Sequence, residues 1–576
     1  MYPRNKPLRL SMSISVFCVF LAACGGEVSP PELANKSEVD NKLSSTSANK
    51  KTSLIVLDTL KAFPTAEGAG AGASGGRGGQ VVYVTNKNKT GPGSLYEALS
   101  ANYDSHRTIM FAVGGEFVID DDVLKLYGTG NFTIAGQTAN DIGGVHLVSK
   151  NGGSLFINSG DNAIVRYVSS KGGWDGGLKA VERYTAFAMY NSTNMIFDHW
   201  SGGFAPYLAK WGGFNRKTRK QGSITLQYGL GHEGVATHNV GYVWGEYMRF
   251  LERDWDSGAL DAYHNDFGEV DIHHNAYIML THRQTGNLYG SATAKSRRVN
   301  NYIYGWSSRL DSHVGRAQID YVNNVYEQNS AGPDGFRNLH KFEISYATQP
   351  TGESIQTSWH FSGNKIINKN GSELLSPKNA DDQWKMVRMK LDNSINTSVE
   401  DDAIHGLSTG DAVPKIAPYY RGTPLASSVF EIEKTPTDQV KDYVLANAGA
   451  GVRFNDDGST YNVDTVDLMY INYALTGKGV PDHHSSSRGD GGIGDELRMT
   501  FRSNATNSGR VNLESFDKDR DGLPDAWEKK HKVTEANSTK LDWIIQGYTI
   551  KNNAGYSNLE MYLAEIAGDF HMLAKK

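Results

Sequence analysis

The chain has 576 residues, enough for one long domain and a small appendage, with 63 glycines, 16 prolines and 39% hydrophobic residues. That balance points to many tight turns around a real core rather than to disorder. A net charge of −5 argues against a nucleic-acid binder, but a local basic cleft would still suffice to hold an anionic polymer.

The amino terminus carries Arg4, Lys6 and Arg9 before a short apolar run, Ser11 to Ala23, that is too short to span a bilayer. It ends in Leu21-Ala22-Ala23-Cys24-Gly25, which resembles a bacterial lipobox. Residues 1–24 are expected to be a lipoprotein signal peptide with Cys24 lipidated, and residues 25–55 a polar tether. Cleavage there would remove Cys18 and leave one cysteine, so no intrachain disulfide is expected. Gly25 lacks the aspartate that resembles an inner-membrane retention signal. Export to the outer membrane or cell surface follows, with plain secretion as the alternative.

Beyond the tether, short β-rich runs recur at Phe132-Thr133-Ile134, Ile164 to Tyr167, Met195-Ile196-Phe197 and Ile224-Thr225-Leu226. They continue at Val270-Asp271-Ile272, Arg298-Val299, Ile319-Asp320-Tyr321 and Trp359-His360-Phe361. Measured from Ile134 through Val165, Ile196, Thr225, Asp271, Val299, Asp320 and His360, the steps are 31, 31, 29, 46, 28, 21 and 40 residues. Such spacing suits a solenoid, in which each coil buries its apolar face only against its neighbours. It is too wide for a β-sandwich. The long steps predict coils with lateral insertions. Asn275, Asn300-Asn301, Asn323-Asn324 and Asn364 suit coil corners, because asparagine tolerates left-handed backbone and bonds its own turn. The expected fold is all-β, a right-handed parallel β-helix over residues 56–480.

Several stretches resemble the pectate lyase family, in order along the chain. They are Ala62-Phe63-Pro64-Thr65-Ala66-Glu67-Gly68 running on to Gly75-Gly76-Arg77-Gly78-Gly79, then Gly91-Pro92-Gly93-Ser94-Leu95 and Arg107-Thr108-Ile109-Met110-Phe111. Thr133 to Thr138, Ile164-Val165-Arg166-Tyr167, Asp198-His199, His273-His274-Asn275 and Tyr443 to Ala450 continue the series. The resemblance implies a parallel β-helix that cleaves polygalacturonate-like polymers by β-elimination. Family members usually carry an acidic cluster after the Asp-His pair, which binds catalytic calcium. Here residues 200–207 hold no carboxylate, and the coil-start aspartate is replaced near Thr185, which puts a catalytic calcium in doubt. The family's Arg-x-Pro-x-x-Arg stretch keeps only its first arginine, Arg283.

Elimination across C4–C5 of a uronate needs its carboxylate neutralised, a base for the C5 proton and an acid for the leaving oxygen. The resemblance gives Arg283 the role of base. Guanidinium chemistry instead favours Arg283 as the neutralising charge, with His282, His238, His232 or Tyr242 moving protons. Glu233, Arg249, Arg253, Trp255, His264 and Lys210 are the expected substrate contacts, most of them in the long 228–268 insertion. His273 and His274, on a strand-like run, are expected to be structural. A glycoside hydrolase using carboxylates such as Glu233, Asp254, Asp256 or Asp261, or a non-catalytic glycan-binding surface protein, are the competing readings. The expected partner is an anionic polysaccharide bound by a monomer, with no nucleic acid and membrane contact only through the lipid.

The far end, residues 481–576, contains Asp517-Lys518-Asp519-Arg520-Asp521-Gly522-Leu523-Pro524-Asp525-Ala526-Trp527-Glu528. Acidic residues at loop positions 1, 3, 5, 9 and 12, with glycine at 6, match an EF-hand-type calcium loop. Asp517, Asp519, Asp521, the Leu523 carbonyl, Asp525 and Glu528 are the expected ligands of a structural calcium. Tyr556 to Ile566 reads as a short amphipathic helix.

Overall fold

The computed structural model describes residues 53–100, 105–120, 123–149, 155–158, 160–172, 185–190, 192–203, 207–211, 214–215, 220–221, 223–232, 269–280, 294–306, 310–313, 317–329, 342–344, 358–375, 383–389, 407–408, 410–417, 419–426, 430–477 and 509–576. The expected signal peptide, Cys24 and nearly all of the expected tether lie outside the described residues.

The chain coils through three sheets. The first is ten-stranded and parallel throughout, from Gln80–Val84 and Arg107–Phe111 through Gly130–Ala135, Asp161–Arg166, Thr193–Asp198 and Ser223–Gln227 to Glu269–His273, Ala294–Val299, Ala317–Val322 and Ser358–Ser362. The second, also ten-stranded, runs from Gly115–Val118 to Lys365–Ile367 and ends with Glu373–Leu375 paired antiparallel. The third comprises a four-stranded piece, Lys125–Tyr127, Leu155–Asn158, Thr185–Tyr190 and Tyr207–Trp211, and a three-stranded piece, Asp311–His313, Phe342–Ile344 and Val387–Met389. This is the expected parallel β-helix. Each return from coil to coil is a parallel crossover, whose right-handed form strand twist favours.

All eight predicted runs fall in the first sheet, and the solenoid begins two strands earlier, at Gln80–Val84. The register differs from the spacing read off the sequence: Val165 pairs with Phe197, Asp271 with Arg297 and Arg297 with Asp320. A side chain's face is set by alternation, so a centre misplaced by one residue would be on the wrong side of the sheet. Inward residues such as Ile134, Val165, Phe197, Leu226 and Ile272 join one core running along the solenoid.

The corner between the first and second sheets is built from two successive residues. The first has positive φ in coil after coil: Tyr167, His199, Tyr228, His274, Asn300 and Asn323. In the later coils the second is Asn275, Asn301, Asn324 or Asn364, and each of these side chains donates its Nδ2 to the next in line, ending on Gln383 Oε1. Their second Nδ2 bonds reach strand carbonyls, such as Ile272 O and Arg298 O. The asparagines expected at corners therefore have two jobs, left-handed backbone at Asn300 and Asn323 and a buried amide ladder beside it.

Candidate active site

The two larger sheets are covered on their outer sides, which narrows where a substrate can lie. Residues 62–79 run along the outside of the first sheet, where outward side chains catch their backbone amides. Ala69 N donates to Asp271 Oδ2 (2.6 Å), Gly70 N to Thr225 Oγ1 (2.8 Å) and Gly76 N to Thr133 Oγ1 (3.0 Å). The glycines are required by closeness: a Cβ at Gly70 would lie 2.0 Å from Met195 O, and one at Gly76 2.1 Å from Arg107 O. Helices Thr437–Asn447 and Thr465–Thr476 pack on the second sheet through Val440, Val444, Val466, Tyr470 and Ile471.

The third face is where the insertions attach. Residues 233–268 leave from Leu230–His232 and return to Glu269–His273, and residues 281–293 follow Ala276–Ile278 and return to Ala294–Val299. The two departing strands pair with each other, as do the two receiving strands. Adjacent coils thus root the long insertion and the Arg283 segment side by side. Arg283, His282, His238, Tyr242, Glu233, Arg249, Arg253, Trp255 and His264 themselves lie outside the described residues. His232 ends the strand Leu230–His232, with its backbone paired to Ile278, and Lys210 is in Tyr207–Trp211, paired to Ala188.

The histidines and the Asp-His pair of the first sheet are brought together elsewhere, under the 62–79 segment. Asp198 accepts from Arg166 Nε (2.7 Å), His199 Nδ1 (2.9 Å) and Gln227 Nε2 (2.7 Å), and Arg166 also holds Asp569 through both terminal nitrogens. Burial disfavours the Asp198 anion, but the Arg166 guanidinium, His199 and Gln227 together outweigh it and hold the carboxyl well below the usual range. Asp569 stays above its ordinary value, because burial and the Asp198 charge oppose the same arginine. At the corner, Tyr167, His199, Tyr228 and His274 stack at centroid distances of 4.6, 5.3 and 5.0 Å. His273 Nδ1 meets His274 Nδ1 at 2.8 Å, and Glu67, which Lys576 pairs, sits 4.0 Å from His273. Burial pushes the His273 imidazole down to about 3 and His274 well below its usual range.

These neutral, enclosed rings are part of the wall, in keeping with the structural expectation for His273 and His274. Sequence reasoning missed Arg166 and Asp569 as a buried pair, and Lys576 as the partner of Glu67. It missed also Lys171, which lies inside the second sheet's cover between Asp464 and Asp467. A carboxylate or lysine on an otherwise apolar run was the only available signal.

At the far end, the oxygens of Asp517, Asp519 and Asp521 lie within 4.8 Å of one another. Asp517 is fully buried; its Oδ2 accepts from Tyr83 Oη (2.5 Å) and Gly522 N (2.9 Å), while its Oδ1 has no hydrogen-bond partner. Gly522 has φ 102°, the turn that glycine permits. Glu528 follows in the helix Asp525–His531, its carboxyl pushed up to about 7 by burial and by Asp521, Asp519, Asp525 and Asp517. Converging carboxylates around an enclosed, unpartnered oxygen fit a hard, oxygen-seeking cation.

No family model matches the chain. It is 37% identical over 187 residues to the probable pectate lyase C of Aspergillus fumigatus, covering 32% of this chain and 40% of that protein. With the probable pectate lyase C of Aspergillus flavus it shares 26% identity over 450 residues, 76% of this chain and 89% of that one. Among solved structures, Jun a 1, the major allergen from cedar pollen, covers 67% of this chain and 92% of its own at 15% identity, with a TM-score of 0.40. The first of these matches spans less than half of the relative's own length. By sequence the chain is pectate lyase-like.

Proposed function

We propose that the protein is an exported polysaccharide lyase that cuts a uronate-containing, pectate-like polymer by β-elimination on the third face of the solenoid. The observation that carries this reading is the sequence likeness to the curated probable pectate lyases, which reaches 76% of the chain in one case. The rooting of the Arg283 segment beside the long insertion supports it, since both attach to paired strands.

In the proposed step a base removes the C5 proton, the electron pair forms the C4–C5 double bond, and the C4–O bond breaks. The leaving oxygen then takes a proton. Two divisions of labour satisfy the chemistry. Arg283 takes the proton itself, or Arg283 neutralises the carboxylate while His282, His238, His232 or Tyr242 transfers protons. Glu233, Arg249, Arg253, Trp255, His264 and Lys210 would then hold the sugar chain. The run 200–207 contains no carboxylate, so the donor set for a catalytic calcium is missing there and no step is routed through one. Calcium belongs instead to Asp517, Asp519, Asp521, Leu523, Asp525 and Glu528, and lipidation at Cys24 holds the enzyme to the outer membrane.

Incubating the full-length protein with a panel of uronate polymers tests the reading. A lyase releases an unsaturated product that absorbs in the ultraviolet. Reducing ends without that absorbance would identify a hydrolase, and no cleavage of any polymer would leave a glycan-binding protein.

A further inference from the structure

The C-terminal residues 509–576 are woven into the start of the solenoid. Strand Tyr548–Asn552 pairs in parallel with Leu54–Leu57, pairing Leu54 with Thr549. Leu523, Trp527, Trp543, Ile550, Leu559 and Phe570 pack with Met110 and Ala135, which face outward from the first sheet. Polar ties run deeper into the coils: Asp569 to Arg166, Tyr167 Oη to Ala567 O (2.6 Å), Arg77 to Glu560 (2.5 Å) and Lys576 to Glu67.

The acidic loop sits where this packing meets the strand Gln80–Val84 and Met110. Asp517 serves two sides: its Oδ2 is bonded to Tyr83 of the strand Gln80–Val84, its Oδ1 is buried without a hydrogen-bond partner, and one of its oxygens lies within 4.8 Å of those offered by Asp519 and Asp521. Gly522, at the loop's sharp turn, fits so closely that a Cβ would lie 2.9 Å from both Val81 and Leu559. A divalent cation among these carboxylates would remove their mutual repulsion at the point where the loop meets the first coil. Without it, the cheapest relief is to swing the loop into water, which withdraws Asp517 from Tyr83 and Leu523 from Met110.

Resting on the calcium reading of the loop given above, we propose that calcium at residues 517–528 is the latch that seats the C-terminal clasp on the first coils of the solenoid. Metal binding and clasp docking are then one linked equilibrium, and linkage makes the coupling reciprocal. The Tyr83 hydroxyl strengthens calcium binding, although it is no ligand, because it fixes the carboxylate that is one.

The test uses the full chain. Terbium, a calcium surrogate whose emission nearby Trp527 and Tyr83 can sensitise, reports occupancy of the loop, and calcium competes it away. Hydrogen exchange with calcium and with chelator reports docking. The latch predicts that chelation speeds exchange in 517–528 and also in 54–57, 80–84 and 548–552. Asp519→Asn, at an exposed position in the loop, should give the chelated pattern even with calcium present. Tyr83→Phe should weaken calcium binding on the order of tenfold, the scale of a hydrogen bond to a charged group. Terbium binding with exchange changes confined to 517–528, or an unaltered affinity in Tyr83→Phe, would overturn the latch and leave the calcium loop standing. Absence of terbium and calcium binding would overturn both.

Discussion

The covered side of the first sheet and the face proposed for catalysis draw on the same residue types. On the covered side, His199, His273, His274, Asp198 and Arg166 are fully enclosed and hydrogen-bonded or stacked to one another. The third face carries the insertions, with Arg283 and His238 on segments that leave neighbouring coils. Histidine beside aspartate is therefore no sign of catalysis in this chain. Residues 62–79 and the C-terminal clasp exclude water from the covered side.

The contrast can be broken hardest at Arg166. Arg166→Met would strand Asp198 and Asp569 as buried carboxylates facing each other, and should cost about 3–5 kcal/mol, read from the urea midpoint. A loss below about 1 kcal/mol would mean that the covered side is not sealed. Next comes the amide ladder. Asn301→Ala removes donors to Asn324 and Ile272 and leaves Asn275 without its acceptor, for an expected loss of about 1–3 kcal/mol in the same assay.

The smallest effect concerns pH. His273 and His274 are neutral in the fold, whereas an unfolded histidine titrates near ~6.5. Below that value the unfolded chain binds more protons, so their contribution is complete above ~6.5 and is lost as pH falls. For His273 the slope is about 1.4 kcal/mol per pH unit down to about 3. The depressed Asp198 adds a loss at still lower pH, with the same sign. His274→Asn places asparagine where Asn300 and Asn323 already accept the same left-handed backbone. Melting temperatures from pH 7 to 5 should therefore fall less steeply in this variant; an unchanged slope would show that His274 is charged in the fold.

The solenoid was legible because stacking forces a repeat: Phe132 to Ile134, Met195 to Phe197 and Val270 to Ile272 each alternate inward and outward at a coil-sized interval. The asparagine corners were legible for the same reason, although their division into a backbone residue and a ladder residue was not. The helix expected from Tyr556 begins at Asn558, because Ser557 and Glu560 close a capping box in front of it. The docking of the clasp left no local trace. Arg166 meets Asp569 across 403 residues and Glu67 meets Lys576 across 509, and no periodicity links such positions. Legibility was lowest at the site, since an arginine among histidines reads alike whether it faces a sugar or another coil.

The claim that chemistry belongs to the third face is tested most directly by product formation in Arg283→Ala, measured as unsaturated sugar from the best polymer of the uronate panel. The account predicts a loss of at least about a hundredfold, the scale seen when a charge-stabilising group is removed, with the melting temperature unchanged. Turnover at the unaltered rate would contradict it.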